Sequence, residues 1–173
     1  MNIIFDRSLK QISWSTIIMF ALGFWLSSSS ILDFIIIPSL SAAGMMQNSG
    51  FASAGYLIFG TFNKIELLCA ALVLTGFLVL RFTRFVPDRE LNQERWSLIL
   101  SVLLLAIAST YTYVLTPQMI GLGMQLNLFE TISTLPSAMV SMHEIYWLLE
   151  AIKFIAAATL LRWCYRNSCN LAL

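Results

Sequence analysis

The sequence predicts an all-α protein: a four-transmembrane-helix bundle with both termini cytoplasmic, forming a single membrane domain over residues 1–173. Three observations predict it. Of the residues, 58% are hydrophobic and 11% charged, with a mean hydropathy of +0.80, whereas a soluble domain carries about 25% charged residues. Four apolar stretches reach the roughly 20 residues that a helix needs to cross a bilayer core. Finally, the basic residues flanking those stretches all fall on one side.

The first span is expected over 14–37 and the second over 56–80. The third is expected over 96–115 and the fourth over 139–161. Trp14, Tyr56, Trp96 and Trp163 stand near their ends, where an amphipathic ring meets the headgroups. Pro38 and Pro117 are expected to end the first and third spans, since proline cannot donate the next helical hydrogen bond. The first apolar stretch exceeds the about 7–15 residues of a signal-peptide core and reads as an uncleaved signal-anchor.

Orientation follows from Lys and Arg. Arg7 and Lys10 precede the first span, Arg81, Arg84, Arg89 and Arg95 fill the second connection, and Arg162 and Arg166 follow the fourth span. The first and third connections hold none, which puts both termini and the Arg-rich loop on the cytoplasmic or stromal side. The mixed signs of that loop suit a solvated connector or a docking surface. The segment 120–137 alternates apolar and polar residues and reads as a surface-lying amphipathic stretch. No internal repeat of 20–50 residues is visible.

The same composition excludes several classes. Ten basic and nine acidic side chains cannot coat a water-soluble globule of 19.5 kDa. A net charge of +1 gives no electrostatic footprint for nucleic acid, and three cysteines are too few for a secreted disulfide scaffold. No GxGxxG, Walker, HExxH or GxSxG sequence is present.

The informative anomaly is the set of ionisable residues inside the spans: Asp33 in the first, Lys64 and Glu66 in the second, and His143, Glu144, Glu150 and Lys153 in the fourth. Each such charge at mid-membrane costs about 2.5–3.5 kcal/mol, so these groups are expected to face the bundle interior and pair. At 1.5 Å per residue, Lys64 and Glu66 lie about 12–15 Å below the outer surface, and the seven groups together point to one outward-opening polar pocket. His143, Trp147, Glu150 and Phe154 share a face of the fourth helix; Tyr56, Phe59, Asn63, Glu66 and Ala70 share one of the second. Glu150 with Lys153, Glu66 with Lys153, and Lys64 with Asp33 or Glu144 are the candidate pairs. Gly23, Ser27, Ser30 and Asp33 form a small-and-polar stripe suited to close helix packing. Ion pairs that hold helices in register, a ligand pocket and an ion path all remain open readings.

Methionines gather beside the outward connections, and Met142 adjoins His143, the only histidine, so these two are weak candidates for Cu(I). His143 could instead be one axial ligand to haem or chlorophyll, or a hydrogen-bonded interior residue. Cys164 and Cys169 at a helix end lack two further ligands for zinc.

Several segments carry a resemblance: Gly23-Phe24-Trp25 with Asp33 and Pro38, Phe62-Asn63-Lys64-Ile65-Glu66, Tyr113-Val114-Leu115-Thr116-Pro117-Gln118, and Met142-His143-Glu144 through Lys153. With these the chain resembles, over nearly its whole length, a family of small four-helix integral membrane proteins of unknown function, of cyanobacterial and plastid type. It is similar at a distance to the membrane part of copper-resistance D-type proteins and to four-helix protoporphyrinogen oxidases. The first likeness implies a thylakoid or bacterial inner membrane and a non-catalytic accessory or assembly factor that packs against a larger, photosystem-type complex. The others imply handling of copper or a tetrapyrrole in the outward pocket. The oxidases hold haem by histidines on early helices, and the first three helices here contain none.

Overall fold

The computed structural model describes residues 14–45, 51–83, 91–129 and 137–170, with side-chain detail for most of them. They form an all-α bundle of four rods. Helix α1 runs Trp14–Ala42 and contains a π-turn at Leu32–Ile36. Helix α2 is Phe51–Thr83. Helix α3 covers 91–129 and contains a second π-turn at Tyr111–Leu115. Helix α4 is Ser137–Asn170, which at 34 residues is about 50 Å long.

Three stretches are long and apolar enough to cross a membrane: Trp14–Ala42, Leu57–Phe82 and Asn92–Leu122. Helix α4 has the length, but Glu144, Glu150, Lys153 and Arg162 punctuate its apolar run. The outer faces are what lipid, not water, would cover: Phe82 is 84% exposed, Phe20 77% and Ile155 69%.

The prolines do not end their helices, contrary to the expectation from sequence. Helix α1 continues through Pro38 to Ala42, and α3 through Pro117 to Phe129. Each proline is the second residue after a π-turn, in which Ile37 N–H bonds to Leu32 O and Thr116 N–H to Tyr111 O. The wider turn moves the preceding carbonyls away from the pyrrolidine ring, and the missing N–H falls where bonding returns to the regular pattern. Helix α3 therefore also takes in 120–129, the first part of the expected amphipathic connection. The rest of that connection, and 84–90 of the Arg-rich loop, lie outside the described residues.

Packing follows chain order around a square. Helix α1 packs on α2 and α4, and α3 packs on the same two, so α1 faces α3 and α2 faces α4 across the diagonals. The closest approach is at Gly76, where even a Cβ atom would stand 2.5 Å from Ile18 Cγ1. The buried stripe of α1 is Ile18, Leu22, Trp25 and Ser29, spaced by four, three and four. The expected Gly23–Ser27–Ser30 stripe is not the inward one. Ser27 is exposed and donates to Gly23 O at 2.8 Å, and Ser30 donates to Leu26 O at 2.8 Å.

A repeat emerges that composition hides. Ser30-Ile31-Leu32-Asp33-Phe34-Ile35-Ile36-Ile37-Pro38 and Ser109-Thr110-Tyr111-Thr112-Tyr113-Val114-Leu115-Thr116-Pro117 match in serine, aromatic, branched apolar and proline positions. Both carry the π-turn at the same place. The helix that follows each brings one buried glutamate, Glu66 or Glu150. The hairpins α1–α2 and α3–α4 thus share a π-turn, a following proline and one buried glutamate.

Candidate functional site

The interior has an apolar half and a polar centre. Toward the α2–α3 connection the core is Ile18, Leu22, Val73, Leu104, Leu160 and their neighbours. At the opposite end a smaller cluster gathers Ile107, Tyr111 and Leu115 against Met119, Tyr146 and Leu149. Between them lie Asp33, Glu66, Glu150 and Lys153, each at most 3% exposed.

Lys153 organises this centre from α4. Its ammonium donates to Glu66 Oε1 at 2.6 Å, to Glu150 Oε1 at 2.7 Å and to Ser29 Oγ at 3.1 Å. These use all three of its N–H groups. The Tyr111 ring centroid lies 5.5 Å from the same nitrogen and that of Phe154 5.8 Å, within reach of cation–π attraction. Helical spacing puts Glu150 and Lys153 on one face of α4, and the Glu66 ion pair crosses the diagonal to α2.

The carboxylates differ in how they are served. Glu66 Oε1 accepts from Lys153, from Trp25 Nε1 at 2.8 Å and from Ser29 Oγ at 3.1 Å. Asp33 Oδ1 accepts from the Tyr146 hydroxyl at 2.8 Å. Asp33 Oδ2 and Glu150 Oε2 are buried and, among the described residues, accept from no donor. Ionised, both carboxylates are acceptors only. Asp33 stands four residues after the buried Ser29, so the helical period carries it inward at the start of the π-turn.

Asn63 is buried one level nearer the prolines. Its Nδ2 donates to Thr116 Oγ1 at 2.6 Å, and Thr112 Oγ1 donates back to Asn63 O at 3.4 Å. This ties α2 to the second π-turn, beside the centre and not within it.

The structure thus brings together four of the sequence-derived site residues, Asp33, Glu66, Glu150 and Lys153, with Asn63 adjacent. Lys64, His143 and Glu144 are exposed, so the expected seven-group pocket is smaller than the sequence suggested. The Lys64–Asp33 pairing gives way to Tyr146–Asp33, because Lys64 turns outward two residues before Glu66 turns in. Trp147 is 47% exposed, and the inward stripe of α4 runs instead through Tyr146, Glu150, Lys153, Ala157 and Leu160. Met142 is half-buried, next to the exposed His143. Among the described residues, no three His, Cys, Asp or Glu side chains group closely enough to hold a metal ion.

Sequence reasoning missed Ser29, Tyr111 and Tyr146 and named Trp25 only as a landmark of the resemblance. A signal existed for two of them: Trp25 and Ser29 continue the spacing of Ile18 and Leu22, which period alone could have found.

Fold and centre together define a class: an all-α helical membrane protein with an ion-paired polar centre enclosed by its bundle. Searches of protein-family models, curated proteins and solved structures found no match to the chain.

Proposed function

We propose that this protein is a four-span integral membrane protein that binds a small cation, a proton included, at its polar centre. One observation carries the reading. The centre holds three carboxyl groups and one ammonium, and every described donor in it is committed, yet two carboxylate oxygens remain without a partner. An ion pair that only fastened helices would need one acid for one base. A buried, unbalanced negative charge costs several kcal/mol and calls for a positive partner.

The architecture supports the same reading: α1 and α3 each carry a π-turn, an irregularity frequent at functional sites. In this orientation the basic residues beside α1, α2, α3 and α4 mark the cytoplasmic side, α4 is the fourth span, and Tyr146, which donates to Asp33, belongs to the cluster on the proline side of the centre. The accessory-factor role is implied by the resemblance alone, and the exposed aromatic faces that would suit a partner are covered by lipid as well. The unpartnered oxygens have no such alternative cover.

The test is thermal unfolding of the full chain in lipid nanodiscs while proton and monovalent-cation concentrations are varied separately. A ligand held only by the folded state raises the unfolding temperature with its concentration. The wild type should respond to at least one cation and Asp33→Asn should not. A wild type indifferent to all of them would remove the proposal.

A further inference from the structure

The outward face of α4 carries a second feature, separate from the centre. We propose that it binds one anionic phospholipid, with the headgroup phosphate held between Arg162 and Arg166 and the acyl chains lying over Ile155, Ile152 and Leu148. This requires α4 to span the membrane, as proposed above, and is independent of the cation. Leu148, Ile152, Ile155, Arg162 and Arg166 are all exposed. Their spacing of four, three, seven and four puts them on one face of the helix. The opposite face is the buried one, through Glu150, Lys153, Ala157, Leu160 and Cys164. The outward face is therefore apolar along its middle and doubly cationic at one end, with about 10 Å of helix between Ile155 and Arg162. A phospholipid has the complementary division.

The two arginines call for an anion. Like charges four residues apart repel on a helix surface, and among the described residues both ion pairs belong to Lys153, so neither Arg162 nor Arg166 has an acidic partner there. Arg162 stands two residues beyond Leu160, which is fully buried in the apolar core with Ile18 and Val73. Its guanidinium thus leaves the helix at the depth of apolar packing, on the side that faces lipid, where a lone charge is costly. The flexible stem lets it reach along the helix toward the headgroups, and Arg166 stands one turn, about 6 Å, nearer that level. A phosphate between them offers anionic oxygens to two guanidinium forks, the planar geometry for which arginine is suited. Exposed Tyr165 and Trp96 mark the same level with the rings expected where headgroups meet the apolar layer. Free phosphate would serve the arginines and leave the apolar strip unused; a lipid engages both.

Native mass spectrometry of the full chain, released from nanodiscs of equal parts phosphatidylglycerol and phosphatidylcholine, reads which lipid stays bound. The wild type should retain phosphatidylglycerol about 30-fold over phosphatidylcholine, the preference that two arginines beside an anionic headgroup supply. Combining Arg162→Gln with Arg166→Gln should bring the ratio near parity, while Arg81→Gln with Arg95→Gln, on α2 and α3, should keep most of it. The response of unfolding temperature to cations should survive in both, which keeps a failure here distinct from a failure at the centre. Retention by the wild type in proportion to the disc composition would overturn the proposal whether or not any variant folds. An equal loss in the two double variants would replace a site on α4 with general attraction to a charged surface, and displacement of the lipid by inorganic phosphate would replace it with a phosphate site.

Discussion

The two hairpins use one backbone device for different chemistry. In α1 the π-turn before the proline buries Asp33; in α3 the matching turn buries Tyr111, and Thr112 stands where Asp33 would be. Their partner helices differ likewise. Glu66 accepts three hydrogen bonds at one oxygen, whereas Glu150 keeps its second oxygen unserved. The two hairpins thus differ at matching places: Glu66 is the better-served carboxylate, and on the proposed reading Glu150 and Asp33 are where a cation is held. The lesson concerns buried charge generally. Satisfaction, more than burial, separates a structural carboxylate from one kept for binding.

The comparison breaks most severely at Lys153, which serves both glutamates. Lys153→Met should lower stability by about 3–5 kcal/mol, because it leaves buried carboxylates without their cation. Chemical unfolding in nanodiscs measures it, and a neutral result would mean that the glutamates are not ionised partners at all. Within the first hairpin, Gly76→Val forces a side chain against Ile18 and should cost about 1–3 kcal/mol by overpacking. The same assay reads it, and the cation response should persist, since the apolar half is separate from the centre. The smallest effect belongs to the seam between hairpins. Asn63→Ala removes the bond to Thr116 and should cost about 1 kcal/mol, with local hydrogen exchange rising around the second π-turn. An Asn63→Ala variant that also lost the cation response would show that the second π-turn shapes the ligand site, sharpening the division drawn here.

Much of this was legible beforehand. Helical class, the apolar stretches and the ionisable groups follow from composition and period. The Glu66–Lys153 and Glu150–Lys153 pairs followed from the cost of lone charges in lipid. What failed did so for physical reasons. Pro38 and Pro117 were read as stops because a π-turn, which absorbs a proline, leaves no mark in hydropathy. The stripe of Gly23, Ser27, Ser30 and Asp33 was also misdrawn: Asp33 follows Ser29 by four residues, and the buried line runs through Ser29. On α4, period alone could not choose between Tyr146 and Trp147, and the choice went to the wrong aromatic. Lys64 and Glu144 were drawn inward by the rule that membrane charges pair. Both sit on the exposed faces of long helices, Lys64 on α2 and Glu144 on α4, and long side chains can reach the interface from there.

The central claim is the inequality of the two glutamates, and the direct measurement is the unfolding free energy of Glu66→Gln beside Glu150→Gln at neutral pH. The glutamine at 150 can still accept from Lys153 through its oxygen and leaves one buried negative charge fewer in the centre. The glutamine at 66 withdraws the charged acceptor from Lys153, Trp25 and Ser29 together. The account predicts a loss of about 2–4 kcal/mol for Glu66→Gln and under about 1 kcal/mol for Glu150→Gln. Equal losses, or the larger loss at Glu150, would contradict it.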